Sequence, residues 1–568
     1  MFQRRLSITN DSRVQRSIRN KRLAAELEEH IPKVHRNTKM FEQFLILGAP
    51  PSFETKNPEP VILSSYPRVS ISSRPDNEVK MLISFCFPNG FFQIRRDATG
   101  LRTILSEFVF FLKEESDTLY GICLHFRGND NLFFATEKNL DYPFCYCLLT
   151  TTPFFSSHFT FLSYFSLLMV DRIRPLPHIN NSDMEVLLPA INEKLFASLE
   201  LDEQFSEIAV YPGIKATQAM RDELSFYYSL PTKIKDRKVY PKIPLSSKIT
   251  LFLPLHLSKN QCLAYSSFHT LFNLLKIPDI VTIYTALLLE MHIVFISRRD
   301  LHLLTMSLIA ILSLLKPFKT RAMTILPILP SRKDFLQILD SPVPYIIGTA
   351  SSTKDADLIV NIDSFEVIAN TRIPSLPNRN NLIKKLTAII HDNQQVCSVP
   401  QKRFSISPND NSSNKQLNKE YLDFIARYNP YNFPVIYISL MKLTFIFPPT
   451  IIELIIDAFR SNIIPYMSET IHGCFVTDAT DPSNPVTVCN NGLFLCQVPN
   501  RDREFYEKFI QTDIWETFCD KLSKPIVEFK KSQSSDFRDM NHESESEKNN
   551  SDNSNKSDKP VNNSGNTN

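Results

Sequence analysis

Leu287-Leu288-Leu289-Glu290-Met291-His292-Ile293-Val294-Phe295-Ile296-Ser297 reads as the end of an apolar helix running straight into a buried strand. Upstream, Ile280, Ile283, Tyr284, Leu287 and Leu288 recur at helical spacing behind Asp279, which the pattern makes an N-cap. The run His292 to Ser297 is short, continuously apolar and β-branched, as expected of a strand covered on both faces. Asp300 then caps a helix over Leu301 to Leu315, Pro317 stops it, and Ala322 to Leu326 supplies another strand. Strand, helix, strand at this spacing predicts a right-handed crossover in a largely parallel sheet with helices on it, so the chain is α/β.

Working outward, Ile359 to Ile368 reads as a hairpin closing this unit, with Asp363-Ser364 at its turn. Helical patterning resumes at Pro448 to His472 and at Arg503 to Leu522. On the N-terminal side, order begins at Phe41 to Leu47, and strand-like runs follow at Met81 to Phe87, Ile104 to Leu112, Leu119 to Phe126 and Tyr142 to Thr150. These predict an antiparallel sheet, with Phe87-Pro88-Asn89-Gly90 as a turn and a helix from Ser157 to Val170. The segment Ser182 to Lys242 is polar and reads as mostly helical. The boundaries drawn are a basic flexible arm at 1–40, an upstream region at 41–140, a core at 141–370, a downstream helical region at 371–530 with a disordered insert near 396–419, and a disordered tail at 531–568. Arg4-Arg5-Leu6-Ser7 and Lys402-Arg403-Phe404-Ser405 carry the basic lead-in that many kinases accept, which makes Ser7 and Ser405 candidate phosphorylation sites.

Composition narrows the function classes. With 43 Phe, a single Trp and only 10 Gly in 568 residues, the chain lacks the glycine-rich loops that let backbone cradle phosphate. A net charge of +3 provides no field for nucleic acid. The ten cysteines show no CxxC pair, so Cys145 and Cys147, two apart on one strand, read as buried structural thiols, and a reducing cytoplasm fits them best. No apolar run reaches the roughly 20 residues that span a bilayer. No P-loop, HExxH or GxSxG pattern is present, and the chain is assigned no catalytic residue, no cofactor and no metal ligand.

The ordered motifs resemble the tripartite DENN module. Its core part is similar to Cys147-Leu148-Leu149-Thr150 with Pro153-Phe154-Phe155, then Leu287 to Ser297, then Leu326-Pro327-Ile328-Leu329-Pro330, closing with Pro342-Val343-Pro344-Tyr345-Ile346-Ile347-Gly348. The upstream part is similar to Phe44-Leu45-Ile46-Leu47-Gly48, Tyr66-Pro67, Phe85 to Gly90 and Leu119 to Leu124. The resemblance implies two lobes, the first longin-like and the second an α/β lobe completed by C-terminal helices. It further implies guanine nucleotide exchange on a Rab-family small GTPase in membrane trafficking; the basic arm at 1–40 makes any membrane contact peripheral, and the near-neutral net charge gives no nucleic acid partner. Where many members carry a basic pair this chain has Met291-His292, and Lys319-Thr320-Arg321 replaces a Trp-containing turn. Those departures keep a GTPase-binding scaffold without exchange activity as the alternative, with a GTPase-activating role behind it.

Exchange requires no bond-making side chain, so the candidate residues are binding residues. Polar loops at strand ends are where α/β folds present such groups, which singles out Arg298, Arg299 and Asp300 after the first core strand, and Arg332 and Lys333 after the second. Glu290, between helix and strand, caps backbone or pairs with a cation such as Arg298 in preference to touching the partner directly.

Overall fold

The computed structural model describes residues 39–50, 58–67, 76–93, 103–113, 118–127, 142–169, 209–210, 218–232, 242–246, 249–255, 257–351, 355–393, 447–478 and 486–523. The basic segment bearing Ser7, the insert with Ser405, the tail and most of 182–217 lie outside the described residues. The described residues divide into two units, 39–468 with 498–515 in one and 469–497 with 516–523 in a smaller one.

The larger unit opens with an antiparallel sheet of β1 (Gln43–Gly48), β2 (Val61–Tyr66), β3 (Thr103–Lys113), β4 (Thr118–Arg127), β5 (Phe144–Thr150) and β6 (Ala209–Val210), in the order β3-β4-β5-β1-β2-β6. The side-chain period of two gives it two apolar faces. One face carries Phe44, Ile46, Ile122, Leu124, Tyr146 and Leu148 against α2 (Phe155–Leu168), whose Phe165 ring meets Phe44 at 5.1 Å and Tyr146 at 5.7 Å. α3 (Gln218–Ser229) adds Tyr227, stacked on Phe161 at 3.8 Å, and the short hairpin of β7 (Lys242–Pro244) and β8 (Thr250–Phe252) closes this core. The sequence boundary at 140 falls between β4 and β5, which pair along their length.

The other face is covered by α1 (Asp76–Cys86), where the sequence pattern predicts a strand over Met81 to Phe87. The alternating Ile83-Ser84-Phe85-Cys86-Phe87 has the look of a strand, but Leu82, Phe85 and Cys86 fall on one helical stripe and are buried. Acidic Asp76 and Glu78 in the first turn complement the helix dipole. Tertiary burial thus overrides β propensity. The Phe87–Gly90 turn is found as expected, with Gly90 at φ 91° and its N–H donating to the Phe87 carbonyl at 2.9 Å.

The second lobe contains α4 (Lys259–Leu274), α5 (Ile277–Leu288), β9 (Ile293–Ile296), α6 (Leu301–Ser313), β10 (Thr324–Leu326), a short helix α7 (Lys333–Leu336), β11 (Tyr345–Thr349), β12 (Leu358–Asn361) and β13 (Glu366–Ala369). Its sheet runs β10-β11-β9-β12-β13, the first four strands parallel and β13 returning antiparallel as a hairpin. The crossover read from sequence is therefore present, and β11 lies between the two strands it joins. Gly348 of β11 is required by contact, since a Cβ there would sit 2.0 Å from the Pro327 carbonyl oxygen. Asp300 caps α6, its Oδ1 accepting from Leu303 N–H at 3.0 Å. Asp279 is not the cap expected of it: α5 begins at Ile277 with Lys276 in the cap position, and Asp279 lies in the first turn.

Downstream helices complete this lobe. α8 (Arg379–Asp392) meets α5 through Arg379, whose Nη2 donates to the Pro278 carbonyl at 3.1 Å. α9 (Pro449–Ile471) adds Phe459 against Tyr284 at 4.8 Å. In the smaller unit, β14 (Phe475–Asp478) and β15 (Val486–Cys489) form a hairpin, followed by α10 (Asn491–Gln497). Asn490 holds that unit together locally, its N–H donating to the Cys474 carbonyl at 2.8 Å and its Oδ1 accepting from Leu493 N–H. α11 (Arg503–Phe509) and a helix over 513–523, α12, follow.

The first lobe buries two histidines in the neutral form. His158 accepts from the Tyr227 hydroxyl at Nδ1, 2.7 Å away, and donates from Nε2 to the Thr152 carbonyl at 3.0 Å. His125 Nε2 donates to the Cys86 carbonyl at 2.6 Å. Burial lowers each from 6.5 to about 4, only partly opposed by these backbone bonds. Their neutral forms therefore contribute stability that is complete above 6.5 and is lost as pH falls towards about 4, at up to about 1.4 kcal/mol per pH unit for each ring. Thermal melts across that window should show Tm falling with acidification. A His158→Gln variant should show a shallower slope, and equal slopes would contradict the assignment.

Candidate partner-binding edge

Because β9, β10, β11 and β12 are parallel, their carboxyl ends lie along one edge of the second sheet, and the loops that follow them share it. The loop after β9 is built around a buried hydroxyl. Ser297 Oγ donates to Asp363 Oδ1 at 2.8 Å and accepts from Asp300 N–H at 3.2 Å, while Arg298 N–H donates to Asp363 Oδ2 at 2.9 Å. Asp363 itself is held in the β12–β13 turn, its N–H donating to Asn361 Oδ1 at 3.0 Å. This carboxylate organises the loop, and the sequence reading, which placed it only in a hairpin turn, gave it no such role.

The result is that Arg298 and Arg299 stand exposed at the edge with no side-chain partner among the described residues. Asp300 is committed to capping α6, so its carboxylate is structural first. Two strand spacings away, roughly 10 Å, the segment after β10 presents Arg332 and Lys333. Arg332 is a strut: Nη1 donates to Ser84 Oγ of α1 at 3.1 Å and Nη2 to Asp334 Oδ2 at 3.0 Å. Next to it, Ser331 N–H donates to the Pro88 carbonyl at 2.7 Å and the Phe335 ring meets Phe85 edge-on at 5.5 Å. Lys333 is exposed on the first turn of α7, with no side-chain partner among the described residues. Of the five residues singled out by sequence, three thus point their charge outward and two hold the edge in shape.

Glu290 lies at the opposite end of β9 and does not pair with Arg298. It takes a positive φ of 50°, and its carboxylate caps the start of α12, accepting from Asp513 N–H at 2.8 Å and Ile514 N–H at 3.2 Å. Asp513 reciprocates, its Oδ2 accepting from the backbone N–H groups of Arg321 and Ala322. Burial pushes the Glu290 carboxyl up, and the bonds from Asp513, Thr320 and Ile514 pull against that. The two departures at Met291-His292 and Lys319-Thr320-Arg321 thus flank a joint between core and downstream segment. Removing it in Glu290→Ala should lower the unfolding free energy by about 2 kcal/mol, measured by denaturant titration. Arg298→Ala, exposed, should stay within about 0.5 kcal/mol. Equal losses would contradict these roles.

Comparison with protein families finds two matches. A uDENN domain matches residues 60–126, which hold β2, α1, β3 and β4. A DENN (AEX-3) domain matches residues 221–368, which hold the parallel strands of the second sheet together with Arg298, Arg299, Asp300, Arg332 and Lys333.

Proposed function

The chain is a DENN-domain protein, carrying a uDENN and a DENN domain, and from that premise we propose that it is an exchange factor for a Rab-family GTPase. DENN domains are generally Rab exchange modules, and the match that covers the whole polar edge of the second sheet is the observation that carries this reading. Exchange of this kind is differential binding. The exchange factor prefers the GTPase conformation whose switch segments no longer hold Mg²⁺ and nucleotide, so by reciprocity nucleotide and exchange factor weaken each other. GDP leaves, and GTP replaces it by mass action.

In this reading Arg298, Arg299 and Lys333 contribute electrostatic contacts at the rim, while Asp300 and Arg332 keep the loops in register. Rim charges act mainly on encounter rate and orientation, so their loss is graded. Among the described residues no helix is long and apolar enough to cross a membrane. Attachment to a membrane in this scheme is peripheral, through the GTPase and the basic N-terminal segment.

Release of fluorescent GDP from a panel of Rab proteins tests the proposal. The full chain should accelerate release from at least one member, and Arg299→Glu or Lys333→Glu should each slow it by about tenfold, or 1.4 kcal/mol. Unchanged rates in both variants remove the edge from the account. Capture of a Rab without accelerated release makes the chain a scaffold instead.

A further inference from the structure

Four buried cysteines lie on the face of the first-lobe sheet that α1 covers, and the thiols of three of them converge. β4 and β5 pair with Cys123 opposite Cys147 and His125 opposite Cys145, so these side chains form a square on one face. Cys86, the last residue of α1, sits over it. Its Sγ lies 4.0 Å from that of Cys123, and the sulfurs of Cys86, Cys123 and Cys145 all fall within 4.8 Å of one another. All four cysteines are at 0% exposure. His125, through its bond to the Cys86 carbonyl, fixes the backbone of that residue.

A single buried thiol acts as a small apolar filler and needs no other account. Three sulfurs this close are different chemistry, because Cys86, Cys123 and Cys145 put soft donors from three separate segments around one point, with Cys147 beside them on the same sheet face, opposite Cys123. Zinc with Zn–S bonds of about 2.3 Å in a tetrahedron sets its sulfurs about 3.8 Å apart. The Cys86–Cys123 pair already stands near that spacing, and the rest of the triangle closes by at most about 1 Å. Calcium and magnesium require oxygen donors, whereas an all-sulfur set selects a thiophilic ion.

We propose that Cys86, Cys123 and Cys145 form a site for a structural zinc ion, with Cys147, opposite Cys123 on the same face, turning its thiol in to complete the tetrahedron. Each ligating thiol gives up its proton to solvent as its Zn–S bond forms, with no change in oxidation state. Since the site has no exposure, the ion enters as the lobe folds. Its effect is to clamp the end of α1 to the sheet. Ser84 and Phe85 of that same helix meet Arg332 and Phe335, so the clamp also fixes the footing of the polar edge on the second lobe.

Metal content of the full chain, purified from zinc-supplied cells without chelator and measured by elemental mass spectrometry, should give close to one zinc per chain. Cys86→Ser combined with Cys123→Ser should lose it, and Cys262→Ser, at a buried thiol outside the cluster, should keep it. Should the double variant fail to fold, the wild-type chain decides: refolding with Co²⁺ should produce the intense near-ultraviolet thiolate-to-cobalt band. Refolding in chelator should lower Tm by about 5–10 °C and speed hydrogen exchange over residues 76–93 and 331–336. A folded wild-type chain with no zinc, with a different metal, or with a Cys86–Cys123 disulfide overturns the proposal, as does the absence of the cobalt band.

Discussion

The structure of the larger unit depends on burying α6 on all sides. Leu301–Ser313 contains no Asp, Glu, Lys or Arg, and nearly every residue in it is buried. A helix apolar all round has no solvent face and must be enclosed. One side faces the second sheet, where Leu304 lies beside Gly348. The opposite side, through Met306 and Ile309, joins the hydrophobic core of the first lobe. α6 also covers β3, an edge strand whose unpaired backbone would otherwise be open to another chain. Thr305 Oγ1 accepts from Val109 N–H at 3.5 Å, and His302 Nδ1 stands 3.1 Å from Glu107 Oε1 in a nearly dry setting. Burial pushes the Glu107 carboxyl up, and the neighbouring His302 limits that rise. The two lobes are thus joined through a shared wall.

That wall fixes where the polar edge can lie. α6 starts at the carboxyl end of β9, so its cap, Asp300, sits at the point where Arg298 and Arg299 emerge. A second contact, between α1 and the segment from Ser331 to Phe335, sets the other end of the edge against the first lobe. In the proposed exchange role, this surface would bind one conformation of a partner in preference to another and so would have to be held in a single geometry, since only differential contacts shift an equilibrium. Asp363, Asp300 and Arg332 supply that rigidity, and the exposed cations remain available for contact.

Much of this was legible in the chain. Continuous apolar β9, the Asp300 cap, the Pro317 stop and the second strand are local signals, and local signals are what periodicity and capping rules read. The error at Met81 to Phe87 arose because a five-residue alternation fits a strand as well as one buried stripe of a helix, and only the sheet face beneath it decides. The pairing of Glu290 with Asp513, and of Ser297 with Asp363, joins residues far apart in sequence, so no window along the chain contains both partners. The thiol cluster escaped for the same reason. Cys145 and Cys147 are visible as neighbours, but Cys86 and Cys123 reach them through a helix end and a strand pairing, without the spacing that marks a zinc motif. The strand-end rule singled out the edge residues without distinguishing outward charges from structural ones, and that distinction came from hydrogen bonds.

The central claim is that α6 makes the two lobes one cooperative body. Hydrogen exchange followed by mass spectrometry across a series of denaturant concentrations tests it directly, since it reports the opening free energy of each segment. Peptides from β3 to β5, from α6 and from β9 should open together, with one free energy and one denaturant dependence. Opening of the β3–β5 peptides at a lower free energy, while α6 and β9 stay protected, would contradict it.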